Sequence, residues 1–434
     1  MFRAALLFFC VAEPALAHPG ERGLVMLLPT GLYMLGGAAA VVLSFAVVAL
    51  VPSPAFSKLT ARTEAVEATG KRSLVPSAIT LALLVLLVIA GYAGSRDPLA
   101  NPLPLAVWTL WWVGFTFLVA VAGDIWALLN PWRAAGALLP RYPASRFRYP
   151  GRLGYSPALA LFLAFAWFEL IDPAPQDPAR LASAVLLYAA ITLAGMALFG
   201  GVWLERGEAF SVFFRMVGRL SPLKGGLLHA AALPASGVAF IVAMLATVSF
   251  DGLSRSFWWI NLVGENPLEH PGRSAMLGVN TIGLLASVAV IGTLYAAAVR
   301  LGGQKDYGRF IYALVPIAFG YHFAHYLPSF LVDAQYAAVA FSDPLERGWN
   351  LLGARDLHPS TSFLAHHSTV RAMWNVQVAG IVAAHVVGVV VAHALALRRH
   401  ASVRRAALSQ VPMTLLMIGY TVFGLWLLST PVAA

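Results

Sequence analysis

His322 and His325 stand three residues apart in the run Gly320-Tyr321-His322-Phe323-Ala324-His325-Tyr326-Leu327-Pro328, and His385 stands in the next apolar run. Both runs are long enough to cross a bilayer. An ionisable side chain inside such a span is costly to insert, so it marks a functional site. Residues three apart are neighbours on one helical face. Asp333, eleven residues past His322, falls near that face, about 16 Å further along by helix rise. The following span runs the opposite way and carries His385 to a similar depth. Imidazole suits Zn and Cu, and three histidines with an open fourth position form a zinc pattern found in hydrolases. The same residues suit a proton relay, simple interhelical hydrogen bonds, or axial haem ligation by His322 and His385.

Further histidines lie outside the spans. His366 and His367 are adjacent in the segment before the His385 span, and His18 directly follows Ala15-Leu16-Ala17. Residues 1–17 read as a signal peptide: one basic residue, a short apolar stretch and a small-x-small end. Cleavage there leaves His18 at the mature N-terminus, where its amine and imidazole can chelate a metal. Cys10, in this leader, is the only cysteine, so a metal site in the mature chain draws on His, Asp, Glu, amine or carbonyl groups.

The elements that position these residues are membrane spans. The chain has 434 residues, 59% of them apolar and 11% charged, against about a quarter charged in soluble domains. Ten runs are drawn: 26–51, 74–94, 103–122, 157–171, 181–204, 234–250, 276–299, 310–333, 374–397 and 411–430. Each is near the length that crosses about 30 Å of hydrocarbon. The predicted fold is therefore an all-α polytopic membrane protein: a signal peptide, then one transmembrane domain over 18–434. Loops 251–275 and 334–373 are candidates for a cap. Asp251 and His270 fall in the first of these loops.

The net charge of +10 comes from arginines in loops between spans, not from a stripe that would bind nucleic acid. With His18 outside, inner segments hold twenty Lys and Arg and outer segments eight. That bias predicts an inner-membrane protein with both mature termini periplasmic. In Gly123-Asp124-Ile125-Trp126…Asn130-Pro131-Trp132-Arg133, the residues Trp126, Trp132 and Arg133 read as interfacial anchors. His229, His393 and His400 fall among basic residues at inner interfaces and read as structural. Gly36-Gly37-Ala38-Ala39-Ala40 offers a surface for close helix approach, and Pro328 predicts a kink that frees a carbonyl. No phosphate loop, serine elbow or dinucleotide fingerprint is present.

Several stretches resemble the bacterial integral membrane proteins of the fenitrothion hydrolase type, a membrane-bound organophosphorus triesterase family. They are Ala17-His18, the first span from Leu28-Pro29 through Leu43, the Asp124-to-Arg133 run, and Trp374-Asn375-Val376-Gln377 through His385 to His393. The similarity runs along most of the chain. Pro19 departs from the family's usual glycine and removes a backbone N–H beside His18. The resemblance implies metal-dependent hydrolysis of a lipophilic phosphotriester. In that reading His18, His322, His325 and His385 hold a divalent metal. Asp333 and the His366-His367 pair act as catalytic base or further ligands, and Tyr321, Tyr326 and Trp374 wall the substrate. The rival reading is a transporter of metal, perhaps copper, or of a small solute, using the same histidines. A haem-binding electron-transfer subunit is the third. Expected partners are the bilayer, the lipophilic molecule or metal, and a second subunit or another copy of the chain.

Overall fold

A computed structural model describes residues 30–50, 73–223, 226–265, 272–354, 356–400 and 402–430. Among these residues it is helical with no strand. The expected leader, His18 and His270 lie outside the described residues. The major helices are α1 (Thr30–Leu50), α2 (Val75–Ala93), α3 (Pro102–Ala122), α4 (Ser156–Leu170), α5 (Pro178–Phe199), α6 (Ala209–Gly218), α7 (Ala235–Ser254), α8 (Leu277–Leu301), α9 (Leu314–Ser342, led in by short turns from Tyr307), α10 (His367–Leu397) and α11 (Val403–Ser429). Nine of them are long and apolar enough to cross a membrane, and together they make a polytopic bundle that exposes rows of Leu, Ile and Val to the lipid.

The loops sort into two ends. At one end Tyr155 N–H donates to Ser236 (2.9 Å), Ser221 to the Val121 carbonyl (2.5 Å) and Leu233 N–H to the Gly308 carbonyl (3.0 Å), while the Gln304 amide meets His400 (2.8 Å). At the other, Arg96 pairs with Asp177, and Arg273 donates to the Glu169 carbonyl (2.7 Å). Fifteen of the described Lys and Arg residues lie at the first, basic end and six at the second, distal end. Helix α4 has only 15 residues and spans about 22 Å. It nonetheless runs from Tyr155 at the basic end to Glu169 at the distal end. Tyr33 near the start of α1 donates to Asn375 near the start of α10 (2.9 Å), which places Thr30 and Ser429 at the same, distal end.

Three sequence expectations change. Helix α7 continues through Asp251 to Ser254, α9 continues nine residues past Asp333 to Ser342, and α10 starts at His367. The two cap loops shrink to 255–276 and 343–366. Trp126 and Trp132 are buried at 6% exposure each rather than anchoring at the lipid interface. Residues 126–137 form two short helices, the first against α6 and the second against α2 and α5, so Trp126 packs on Trp111 and Phe214 and Trp132 on Tyr188. Asp124 accepts from the Ala127 N–H just ahead of the first of them. The third change is α6, ten residues with eight buried, in a stretch that reads as a loop. Glu208 caps it, accepting from Phe210 N–H (2.9 Å) and Ser211 N–H (2.7 Å).

Close packing of α9 on α10 sets the positions that matter. A Cβ on Gly320 would lie 2.3 Å from the Ala384 Cβ, and one on Gly380 would lie 2.8 Å from Phe323, so glycine lets these backbones meet. Gly37 does the same for α1, where a Cβ would lie 2.7 Å from Leu425. Pro328 lacks the N–H that would bond the Ala324 carbonyl. The Gln377 amide, reaching from α10, donates to that carbonyl instead (2.6 Å). Gln377→Leu therefore strands a carbonyl in a buried site and is expected to destabilise by about 1–3 kcal/mol. Adding Pro328→Ala restores a backbone donor and should recover most of the loss. Chemical unfolding in detergent, followed by tryptophan fluorescence, reads both; a double variant no better than the single one removes this account.

Candidate functional site

Asp251, one turn below the distal end of α7, is 1% exposed. Its Oδ2 accepts from His325 Nε2 (2.8 Å) and from the Tyr326 hydroxyl (2.9 Å), both on α9. Its Oδ1 lies 2.9 Å from Arg255 Nη2, four residues further along α7. A carboxylate inside the bundle is tolerable only with such partners, and they let α7 continue through it. The correction to the loop assignment of Asp251 rests on this compensation.

Tyr326 also lies 3.2 Å from Glu169 Oε1 on α4. One hydroxyl thus faces two carboxylates, and it has one proton to donate. When it donates to Asp251, a hydrogen bond to Glu169 requires the proton on Glu169. When it donates to Glu169, the proton sits on Asp251. A concerted shift along Glu169, Tyr326 and Asp251 therefore moves one proton from carboxyl to carboxyl and leaves the tyrosine unchanged. His325 extends the chain: its Nε2 proton faces Asp251, so in the neutral ring Nδ1 holds the lone pair.

Two cavities meet at this chain, sharing Trp112, Glu169 and Tyr326. The distal one, about 30 Å³, is lined also by Gln176, Arg255, Arg273 and Asp333. The deeper one, about 20 Å³, descends past Thr116, Thr247 and His322 to Phe213 and Val217 of α6. Each has room for one or two waters. Part of α3, Leu105–Phe115, is wound as a π-helix, a distortion that favours functional sites. It presents Trp108 and Trp112 to the distal cavity and Trp112 to the deep one.

The predicted site residues separate into groups. His322 is 5% exposed, its Nε2 lies 3.2 Å from the Trp112 carbonyl, and its ring packs edge-on against Trp112 and Tyr326. Three residues along a helix turn about 60° away from alignment. That offset sends His322 toward α3 and His325 toward α7. Asp333 is buried at the distal cavity, on the His322 side, as the spacing suggests. His385 lies on α10. Its Nδ1 donates to the Ile381 carbonyl (2.8 Å), and its ring neighbours Tyr420. Tyr321 stacks on His325 and neighbours Tyr420. Trp374 packs on Tyr33 of α1 instead of walling the cavities. His366 is exposed, bonds the Ser362 carbonyl and starts α10 beside exposed His367. By helix rise His367 is about 27 Å from His385.

The described residues do not bring the expected ligands together, and His18 lies outside them. Among the described residues no three His, Cys, Asp or Glu side chains gather around a common metal position, because His322, His325 and His385 each face a different neighbouring helix. Haem between His322 and His385 has no slot, since Gly320 against Ala384 closes α9 onto α10. The residues that the sequence reading did not single out are Arg255, Glu169 as a partner of Tyr326, and the α6 floor. The four-residue spacing of Asp251 and Arg255 was a readable signal of a helical ion pair. No protein-family model, curated protein or solved structure matches the chain. The fold and site define its class: a polytopic α-helical membrane protein with a buried acid–base chain opening toward one face.

Proposed function

We propose that the protein translocates protons, alone or coupled to a small solute, through the chain Glu169, Tyr326, Asp251 and His325. The observation that carries this reading is the Tyr326 hydroxyl shared by two carboxylates beside two water-sized cavities. Ionisable chains of this kind inside a membrane mark proton relays in pumps and transporters. The excess of arginine at one end supports an orientation with that end in the cytoplasm of a bacterial inner membrane. The distal cavity then opens toward the periplasm. Purified protein in liposomes carrying an internal pH dye, driven by a potassium diffusion potential, provides the test. Wild type is expected to acidify the lumen, and Asp251→Asn to lower the rate at least tenfold. Flux unchanged in Asp251→Asn, or absent in wild type, overturns the reading.

The second reading is hydrolysis of a lipophilic organophosphate, the activity that the fenitrothion hydrolase resemblance implies. The His325–Asp251 pair supports it, since a carboxylate that orients an imidazole makes a general base. Water would lose a proton to His325 Nδ1 as its oxygen bonds to phosphorus and the aryl oxide leaves. Cavities of about 20 and 30 Å³ do not admit an aryl phosphotriester in this conformation, so the first reading ranks above it. Nitrophenol release from fenitrothion by wild type, lost in His325→Ala, would reverse that order.

A further inference from the structure

The acid–base chain approaches the distal face, and a proton that crosses the membrane must also reach the basic face. The deep cavity ends against Phe213 and Val217 of α6, which is packed in the core. One turn from His325 on the same face of α9 a second series of buried polar groups begins. Tyr321 stacks on His325 and neighbours Tyr420, and the Tyr420 hydroxyl bonds Ser249 of α7. His385 neighbours Tyr420 in turn. Its Nδ1 proton is committed to the Ile381 carbonyl, so Nε2 holds a bare lone pair. That Nε2 is buried in a residue 1% exposed and has no partner. Two turns onward along α10 comes His393, fully buried. On α11, which packs against α10, Thr414 and Gln410 are 6% and 2% exposed, and Gln410 Oε1 is a second buried acceptor without a partner.

By helix rise His385 lies about 18 Å and Gln410 about 10 Å from the basic ends of their helices. Side chains on antiparallel helices lean toward each other's level, because each points toward its own N-terminus. Hence Tyr420 reaches down and His385 up until their rings are neighbours. Two bare acceptors in a membrane interior each call for a donor, and buried polar atoms left unpaired by the protein are ordinarily met by water.

We infer that the α10–α11 seam, through His385 and Gln410 and the waters they hold, is the basic-end half of the proton path. This rests on the translocation reading above. His385 Nε2 accepts a proton arriving from the Tyr420–Ser249 side and releases it to water toward Gln410. Each passage takes one proton from water at one face, returns one to water at the other, and leaves no group altered.

The test uses the full chain in liposomes, with proton flux as readout and Asp251→Asn as reference. His385→Phe and Gln410→Leu are each expected to lower flux at least tenfold, while Thr116→Val, in the deep cavity, leaves it within about twofold. Hydroxyl-radical labelling by X-ray pulses, which marks side chains beside trapped water, is expected at Met413 and Met417 of α11 in wild type and to fall in both variants. This second readout holds even if one variant folds poorly. Loss in Asp251→Asn with full flux in His385→Phe and Gln410→Leu overturns the seam and spares the translocation reading. Full flux in all three overturns both. Loss in Thr116→Val alone among the path variants assigns the basic-end half to the deep cavity instead.

Discussion

Asp251→Ala is expected to destabilise the folded protein by about 3–5 kcal/mol, the cost of breaking a buried ion pair by removing one partner. The Arg255 side chain is 19% exposed, so its guanidinium cannot recover full hydration where it stands. His325 loses the acceptor for its Nε2 proton, and that stranded donor adds to the loss, while Tyr326 keeps Glu169 as its second acceptor. Asp251→Asn keeps an acceptor oxygen and the side-chain volume, so its cost should be smaller, although it removes the negative charge that faces Arg255. The double variant Asp251→Ala with Arg255→Leu removes both charges together and should recover at least half of the loss. Unfolding in detergent against a denaturant series measures all three. A single variant within about 1 kcal/mol of wild type, the range of exposed ion pairs, means that Asp251 is not the node described above.

The same residue shows where sequence reasoning stops. Apolar runs near 20 residues marked each of the nine helices long enough to cross a membrane, because lipid leaves helical backbone few alternatives, though α9, α10 and α11 extend well past their runs. Gly37 and Pro328 were also legible: each acts through its own backbone, and both do what their residue types dictate. Asp251 was not, since a charge at the end of an apolar run looks like a boundary. Only three-dimensional proximity to His325 and Tyr326, 74 and 75 residues away, shows that the helix continues. Helix α6 was hidden for a related reason. Arg206, Arg215 and Arg219 flank or punctuate its apolar residues, and ten residues are too few to register as a span. The histidines failed differently. Periodicity shows that His322 and His325 are neighbours on α9, but it does not say which helices lie opposite. A 60° offset was enough to give them separate partners, and depth along α10 did not reveal that His385 would neighbour Tyr420.

The packing that separates these histidines yields the other large expected effect. In Gly320→Ala the new Cβ would lie 2.3 Å from the Ala384 Cβ and 3.2 Å from the Gly380 carbonyl. Both obstacles are backbone or Cβ atoms that no rotamer change can move, so α9 and α10 must part by about 1 Å or more. Overpacking of this kind costs about 1–3 kcal/mol, and the upper end is expected here because the contact is between helix axes. The separation would also stretch the Gln377 bond to the Ala324 carbonyl, one turn away along the same interface. Ala384→Gly in the Gly320→Ala background removes the first obstacle and leaves only the carbonyl contact. It should therefore restore at least half the loss, a coupling of about 1 kcal/mol or more between the two positions. Gly36→Ala is the matched control, since a Cβ there meets nothing within 4 Å and stability should stay within about 0.5 kcal/mol. Equal losses at Gly36 and Gly320 would trace the effect to glycine itself and not to the α9–α10 contact. If Gly320→Ala also lowers proton flux while Gly36→Ala does not, the contact is needed to hold His325 on Asp251 and His385 beside Tyr420.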